Sequence, residues 1–343
     1  MAGILLHSIT RGLSKQTNFV RSSFSSTTST SNQAFIVYSR TMSTTNSKNS
    51  PLKVENLLIL GAGLMGGGIA QVSAASGKFN SIVLQDVSQD QLNKAKNTIL
   101  TSLQRVQKKD PSVNPDSIVN SITFSTDVKE KGVGEGLLVI EAVPEILDLK
   151  QNIFKNLYES YGSNDKVILA TNTSSLPCRE IGVHIKNKER FAGLHFFNPV
   201  AVMKLVEIIR VDNGTTDNVY NALVQFVKDI KKVGITCKDT PGFVVNRLLI
   251  PYMYSAVEML ERGDATAEDI DIGMKLGAGY PMGPLELIDY TGLDTAVFIG
   301  EKFRTPDGTP IVKQSSVELM KKMVNQGKLG RKSGEGFYKY DKK

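Results

Sequence analysis

Val54 to Asp86 reads VENLLILGAGLMGGGIAQVSAASGKFNSIVLQD, and this stretch decides the fold. Val54 to Leu60 is a short apolar run of the kind buried in a parallel sheet. Gly61-Ala-Gly63-Leu64-Met65-Gly66 follows at once, and Ile69 to Ala75 then reads as helix. The pattern G-x-G-x-x-G between a strand and a helix is the phosphate-binding turn of a dinucleotide fold. Gly61 allows the tight turn, Gly63 lets the backbone approach a pyrophosphate, and Gly66 lets helix and strand pack closely. The helix N-terminus then offers its free N–H groups to the phosphates. Ser81 to Gln85 is the next strand, and it ends in Asp86, 20 residues after Gly66. A carboxylate there accepts both ribose hydroxyls of an adenosine and repels a 2′-phosphate, which favours NAD over NADP. Asp86 as a simple turn or cap residue is the structural alternative.

A membrane span is the competing reading, because Asn56 to Gly77 carries no charge. Five glycines between Gly61 and Gly68 count against it. Each glycine inside a helix costs about 1 kcal/mol relative to alanine. The segments beyond continue the α/β alternation. Residues 89–109 and Leu147 to Tyr161 read as helices. Leu137 to Val143, Val167 to Ala170, Phe191 to Phe196 and Leu205 to Ile209 read as strands. That order predicts a Rossmann-like, doubly wound and mostly parallel sheet.

Composition shifts at Asp239-Thr-Pro-Gly242. Residues 243–262 form a helix apolar around most of its circumference, which Pro251 should kink or break. Residues 266–276 and 285–302 read as further helices, joined by the Gly/Pro-rich Gly277 to Pro284. The expected organisation is therefore a dinucleotide-binding domain over 51–240 and an all-helical domain over 241–343. A small helical unit with this much apolar surface predicts a homodimer.

The chain of 343 residues is 41% hydrophobic and 22% charged, as a globular protein is. Its formal net charge is +7. Residues 1–54 hold six of the basic residues and no acid, and the remainder carries 35 basic against 34 acidic residues. Twenty of the first 50 residues are Ser or Thr. Residues 1–50 thus have the composition of a disordered mitochondrial targeting presequence. With that segment set aside, a net charge of only +1 remains, which does not point to nucleic acid. Cys178 and Cys237 cannot form a four-thiolate metal site, and they read as structural thiols.

Outside the presequence there are two histidines, His184 and His195, too few for a histidine-rich metal site. His195 closes a predicted strand, at the sheet edge where such folds bind ligands. Glu207 lies 12 residues on, in a second predicted strand. If the two strands pair as a hairpin, carboxylate and imidazole meet. Such a pair suits removal of a hydroxyl proton as hydride leaves the same carbon.

Four stretches together resemble the L-3-hydroxyacyl-CoA dehydrogenase family. They are Thr171-Asn-Thr-Ser174-Ser-Leu, Arg190-Phe-Ala-Gly-Leu-His195-Phe-Phe-Asn198-Pro, Met203-Lys-Leu-Val-Glu207 and Asp239-Thr-Pro-Gly-Phe-Val-Val-Asn246-Arg. Gly279-Tyr-Pro-Met-Gly-Pro-Leu-Glu and Gly334-Glu-Gly-Phe-Tyr resemble its C-terminal domain. The resemblance implies reversible, NAD-dependent oxidation of a (3S)-3-hydroxyacyl-CoA in fatty-acid β-oxidation, in the mitochondrial matrix. It implies that His195 is the general base and that Glu207 orients it. Ser174 and Asn246 match residues at the substrate oxygen. Gly61, Gly63, Leu64, Met65, Gly66, Asp86, Glu145, Lys150, Ser174, Asn198 and Lys332 match positions at NAD. Ser102, Lys109 and Ser174 match substrate contacts, the first two to coenzyme A. Read without the resemblance, Glu145 and Lys150 describe a solvated helix start, and Lys332 a charge in the tail. Two alternatives stand beside this reading. One is a 3-hydroxybutyryl-CoA dehydrogenase with short-chain preference, and the other is a non-catalytic, crystallin-like NAD-binding relative.

Overall fold

The computed structural model describes residues 52–127, 136–305 and 307–341. The presequence expectation for 1–50 lies outside the described residues. The glycine stretch folds as β1 (Asn56–Leu60), a tight turn and α1 (Leu64–Ser76). There follow β2 (Ser81–Gln85), α2 (Gln89–Gln107), α3 (Pro115–Asn120), β3 (Ile122–Ser125), β4 (Leu137–Glu141), α4 (Leu147–Tyr161), β5 (Val167–Thr171) and the short α5 (Cys178–Ile181). β6 (Phe191–Phe196), β7 (Leu205–Arg210), α6 (Asp217–Asp229) and β8 (Val233–Lys238) complete the sheet half. The helical half contains α7 (Val245–Arg262), α8 (Ala267–Gly277), α9 (Pro284–Thr291), α10 (Leu293–Lys302) and α11 (Gln314–Asn325).

The eight strands lie in the order β3-β2-β1-β4-β5-β6-β7-β8. All neighbours pair in parallel except β6 and β7. β1, β4 and β5 are buried throughout, because helices cover both faces of such a sheet. One core packs β1, β2 and β4 against α1, α2 and α6, and another packs the opposite face against α4. The strand order reverses between β1 and β4, so the crevice for a ligand opens at their carboxyl ends. The fold is a Rossmann-like domain followed by a helical one, as the sequence predicts. A third cluster, built on Tyr254, Val257, Leu285, Ile288 and Val317, is the core of the helical half.

Several details differ from the sequence reading, among them the helices α3, α6 and α11, which it does not contain. Pro251 does not break α7, which runs on through it. The predicted helix over 285–302 is two helices, because Gly292 at φ 100° turns the chain between them. The edge strands β3 and β8 were not expected from the sequence. β8 alternates between exposed and half-buried positions and lacks the unbroken apolar run of an interior strand.

Candidate active site

The glycine turn is shaped by close approach. Gly61 has φ 97°, and a Cβ there would lie 2.7 Å from the Ala142 carbonyl oxygen. A Cβ on Gly66 would lie 1.8 Å from the Gly61 carbonyl oxygen. Gly63 is different: a Cβ there would meet nothing within 4 Å. Gly63 caps α1 with no side-chain hydrogen bond, and the first turn holds no acid. Backbone N–H groups at an open helix start fit the pyrophosphate of a dinucleotide. Leu64, at 74% exposure, and Met65 follow on that first turn.

Asp86 stands at the end of β2 beside this turn. Its Oδ2 accepts from the Ala62 N–H at 2.8 Å, and its Oδ1 from the Ser88 N–H at 3.0 Å. The carboxylate therefore ties the glycine turn to the start of α2. Each oxygen retains a lone pair for a ribose hydroxyl. The turn role and the cofactor role are compatible.

The strands' common direction gathers the other candidates on the same edge. Glu141 ends β4, the Thr173–Ser175 loop follows β5, and His195 lies one residue from the end of β6. β7 runs the other way, so its early residue Glu207 falls opposite His195 in the register. His195 Nδ1 lies 2.7 Å from Glu207 Oε2, with His195 3% exposed and Glu207 fully buried. The other oxygen, Oε1, accepts from the Val244 and Val245 N–H groups at 3.0 and 2.9 Å, at the start of α7. The helix N-terminus favours negative charge at that position. A hydrogen bond from Nδ1–H to the carboxylate leaves Nε2 as the acceptor of the neutral ring. Phe197 and Phe243 pack beside the imidazole, at 4.5 and 5.6 Å between ring centres.

Asn246 is the next residue of α7, and its Nδ2 donates to the Ser174 carbonyl at 3.4 Å. Both residues line a small cavity of about 90 Å³ whose other walls, among them Leu249, Met253 and Ile299, are mostly apolar. The loop carrying Ser174 is held by Glu145. Glu145 Oε1 accepts from the Ser174 and Ser175 N–H groups at 3.0 and 3.2 Å, and from the Thr173 hydroxyl. Burial pushes the Glu145 carboxyl up, but the Lys150 ammonium and these hydrogen bonds outweigh it, and its pKa is lowered.

Lys150 corrects the expectation of a solvated helix start. It is 1% exposed, and its ammonium lies 2.6 Å from Glu141 and 3.1 Å from Glu145. Glu141 is fully buried and also accepts from the Val143 N–H and the Thr171 hydroxyl. Sequence reasoning missed Glu141 as a site residue. The signal was a lone acid closing the otherwise apolar run Leu137 to Glu141.

Ser102 and Asn198 line the same cleft, of about 320 Å³, together with Gly63 and Leu64. Ser102 accepts from the Gln71 amide at 3.0 Å. Lys109 is exposed, lies beyond the end of α2 and does not line this cleft. Lys332 stands apart as well. Its ammonium pairs with Asp294 of α10, at 2.7 Å from Oδ2. The two thiols sit as structural groups: burial, followed by nearby Glu207 and Asp239, pushes Cys237 up to about 12, and burial with Asp239 raises Cys178 as well.

Two family models match the chain. The NAD-binding domain of 3-hydroxyacyl-CoA dehydrogenase matches residues 56–240, and the C-terminal domain of the same family matches residues 242–340. The chain is 45% identical to the mitochondrial hydroxyacyl-coenzyme A dehydrogenase of Sus scrofa, over 87% of this chain and 95% of the relative. It is 48% identical to a probable 3-hydroxyacyl-CoA dehydrogenase of Caenorhabditis elegans, over 84% of this chain and 93% of the relative. The crystal structure of (S)-3-hydroxybutyryl-CoA dehydrogenase from Ralstonia eutropha superposes with a TM-score of 0.74 at 39% identity, covering 84% of this chain and all of that one.

Proposed function

The chain belongs to the 3-hydroxyacyl-CoA dehydrogenase family, and from that premise we propose how its residues divide the reaction. The reaction is the NAD-dependent oxidation of a 3-hydroxyacyl-CoA to the 3-oxoacyl-CoA. NAD, when bound, supplies the acceptor for the hydride on C3. The turn Gly61 to Gly66 and the start of α1 hold its pyrophosphate, and Asp86 holds the adenosine ribose. His195 Nε2 takes the proton of the 3-hydroxyl. Glu207 keeps the proton on Nδ1 before the reaction and balances the imidazolium after it. Ser174 and Asn246 bind the substrate oxygen, and Glu145 sets the height of the Ser174 loop. Orientation is the main contribution, because the base is held in place by its carboxylate and by the start of α7.

The observation that carries this reading is the buried His195–Glu207 pair at the carboxyl edge of the sheet, closed by the N-terminus of α7. It also favours an enzyme over a non-catalytic relative, since a silent NAD-binding protein has no use for a base with a fixed tautomer. The substrate is a 3-hydroxyacyl-CoA, and 3-hydroxybutyryl-CoA is its shortest common form. The chain divides functionally into a cofactor domain over 51–240 and a substrate domain over 241–343. Exposed Leu248, Leu276 and Phe298 on α7, α8 and α10 support a homodimer through the helical half. The acid-free, Ser/Thr-rich residues 1–50 and the mitochondrial relatives support import into the matrix. Among the described residues no helix is long and apolar enough to cross a membrane.

The direct test is loss of NADH absorbance with acetoacetyl-CoA, run in parallel with NADPH and with longer 3-oxoacyl thioesters. Turnover with NADH and little with NADPH is expected. No turnover at any acyl length would remove the enzyme reading. A fluorescent reporter carrying residues 1–50 should enter mitochondria, and a diffuse cytosolic signal would argue against import.

A further inference from the structure

The small cavity beside Ser174 and Asn246 has two unlike ends. Exposed Ser174 and half-buried Asn246 stand at its mouth, where the substrate oxygen is proposed to bind. Along α7 the lining residues Asn246, Leu249, Ile250, Met253 and Tyr254 follow at steps of three and four or directly adjoin, so they share one face of the helix. That face runs inward, since Ile250, Met253 and Tyr254 are buried. From Asn246 to Tyr254 the helix rises about 12 Å. Leu287 of α9 and Ala296 and Ile299 of α10 close the other sides. Walls of this kind penalise a polar ligand and reward an alkyl chain. Among the described residues the lining includes none of the glycine turn, which keeps this cavity apart from the pyrophosphate of NAD.

The inner end is fixed. Tyr254 is 2% exposed. Its hydroxyl donates to the Ala296 carbonyl, and the Ser316 hydroxyl donates to the Tyr254 carbonyl at 3.3 Å. The ring fits because position 300 is glycine: a Cβ there would lie 2.7 Å from the Tyr254 hydroxyl oxygen and 2.8 Å from its ring. A side chain packed and bonded in this way does not swing aside to lengthen the cavity. Volume then sets a length. An apolar cavity of about 150 Å³ admits a benzene ring. At the same density, the space of about 90 Å³ here admits roughly three or four carbons.

We infer that Tyr254 is a specificity-determining residue that limits the acyl length of the substrate, by closing the alkyl pocket roughly three or four carbons beyond the reacting carbon. This rests on the reaction proposed above. A 3-oxohexanoyl tail fits that length, and a 3-oxodecanoyl tail overruns it. Each methylene that enters the pocket strengthens binding about fourfold. One that meets the ring gains nothing and has to displace packed side chains.

The test is kcat/KM with NADH for acetoacetyl-, 3-oxohexanoyl-, 3-oxooctanoyl- and 3-oxodecanoyl-CoA, in wild type, Tyr254→Phe and Tyr254→Leu. Wild type should rise about tenfold from acetoacetyl to 3-oxohexanoyl and fall about tenfold from there to 3-oxodecanoyl. Tyr254→Phe keeps the ring and should keep that profile. Tyr254→Leu removes the outer half of the ring and should move the optimum to 3-oxooctanoyl or 3-oxodecanoyl, with acetoacetyl little changed. If Tyr254→Leu does not fold, Tyr254→Met replaces it, because an unbranched thioether repacks into irregular space and should likewise admit the longer chains. A wild-type profile that does not fall by 3-oxodecanoyl would overturn the inference. So would an unmoved optimum in the opened variant, or an equal loss at every length, which marks a residue of the core alone. Absence of wild-type turnover at every length would count against the reaction itself. Calorimetric affinities of wild type for hexanoyl-CoA and decanoyl-CoA would then still decide the stop: equal or tighter binding of decanoyl-CoA would overturn it, and weaker binding would support it.

Discussion

His195 and Glu207 face each other across the one antiparallel pair of an otherwise parallel sheet, with Nδ1 and Oε2 2.7 Å apart. Glu207 spends its second oxygen on two backbone N–H groups of α7. One carboxylate thus joins the base, the sheet and the first helix of the helical half.

Replacing His195 by Asn should lower kcat by about two orders of magnitude or more and leave NADH affinity unchanged. Glu207→Gln should lower kcat too, and it should also lower the melting temperature, because Oε1 anchors α7. Steady-state rates and NADH fluorescence titration check the pair. Near-normal turnover in His195→Asn would remove it as the base.

Asp86→Arg should raise the ratio of kcat/KM for NADPH over NADH by roughly tenfold or more. The same change breaks the hydrogen bond to Ala62, so some loss of stability should accompany it. Asp86→Asn keeps an acceptor for that N–H and separates the two effects. An unchanged cofactor ratio in both variants would place the ribose contact elsewhere.

Glu141 and Lys150 form a buried ion pair beneath the Ser174 loop. Removing Lys150 leaves Glu141 as an uncompensated buried charge and should cost about 3–5 kcal/mol, whereas removing Glu141 leaves Lys150 its second partner Glu145 and should cost less. Glu141→Gln combined with Lys150→Met should cost less than the sum of the single changes. Denaturant unfolding of the three variants measures this, and additive losses would show that the pair is not coupled.

Lys232 is 9% exposed, and its ammonium donates to the Val200 and Met203 carbonyls at 2.6 Å each. These carbonyls belong to the turn that carries Asn198. Burial lowers the lysine from 10.5 to about 8. Between those values the unfolded chain binds the proton and the folded chain does not, so this group makes stability rise with pH from about 8 towards 10.5. Lys232→Met should abolish that rise. The check is the wild-type minus variant difference in unfolding free energy at pH 7, 8.5 and 10. A flat difference would mean that Lys232 titrates as a solvated lysine.

Much of this site was legible in the residues because its chemistry is local. The glycine turn and Asp86 are short-range features of one strand–turn–helix–strand unit, and steric contact at Gly61 and Gly66 permits few alternatives. The apolar runs that become β1, β4 and β5 announce burial on both faces. The edge strand β8 and the break at Gly292 were less visible. An edge strand needs no continuous apolar run, and a glycine within a helical pattern does not show its φ.

The sequence by itself determined the alternation of strand and helix, the dinucleotide turn and the likeness of its motifs to one family. It also located all but one unit of the chain's net positive charge in residues 1–54. Only the tertiary structure decided which charges remain available to a ligand. It buries Lys150 against Glu141, pairs Lys332 with Asp294, and leaves Lys109 exposed just beyond the end of α2. The reason is physical. Spacing along a chain sets which face of a helix or strand a side chain shares, whereas its partner and its solvent are set by whatever packs against that face.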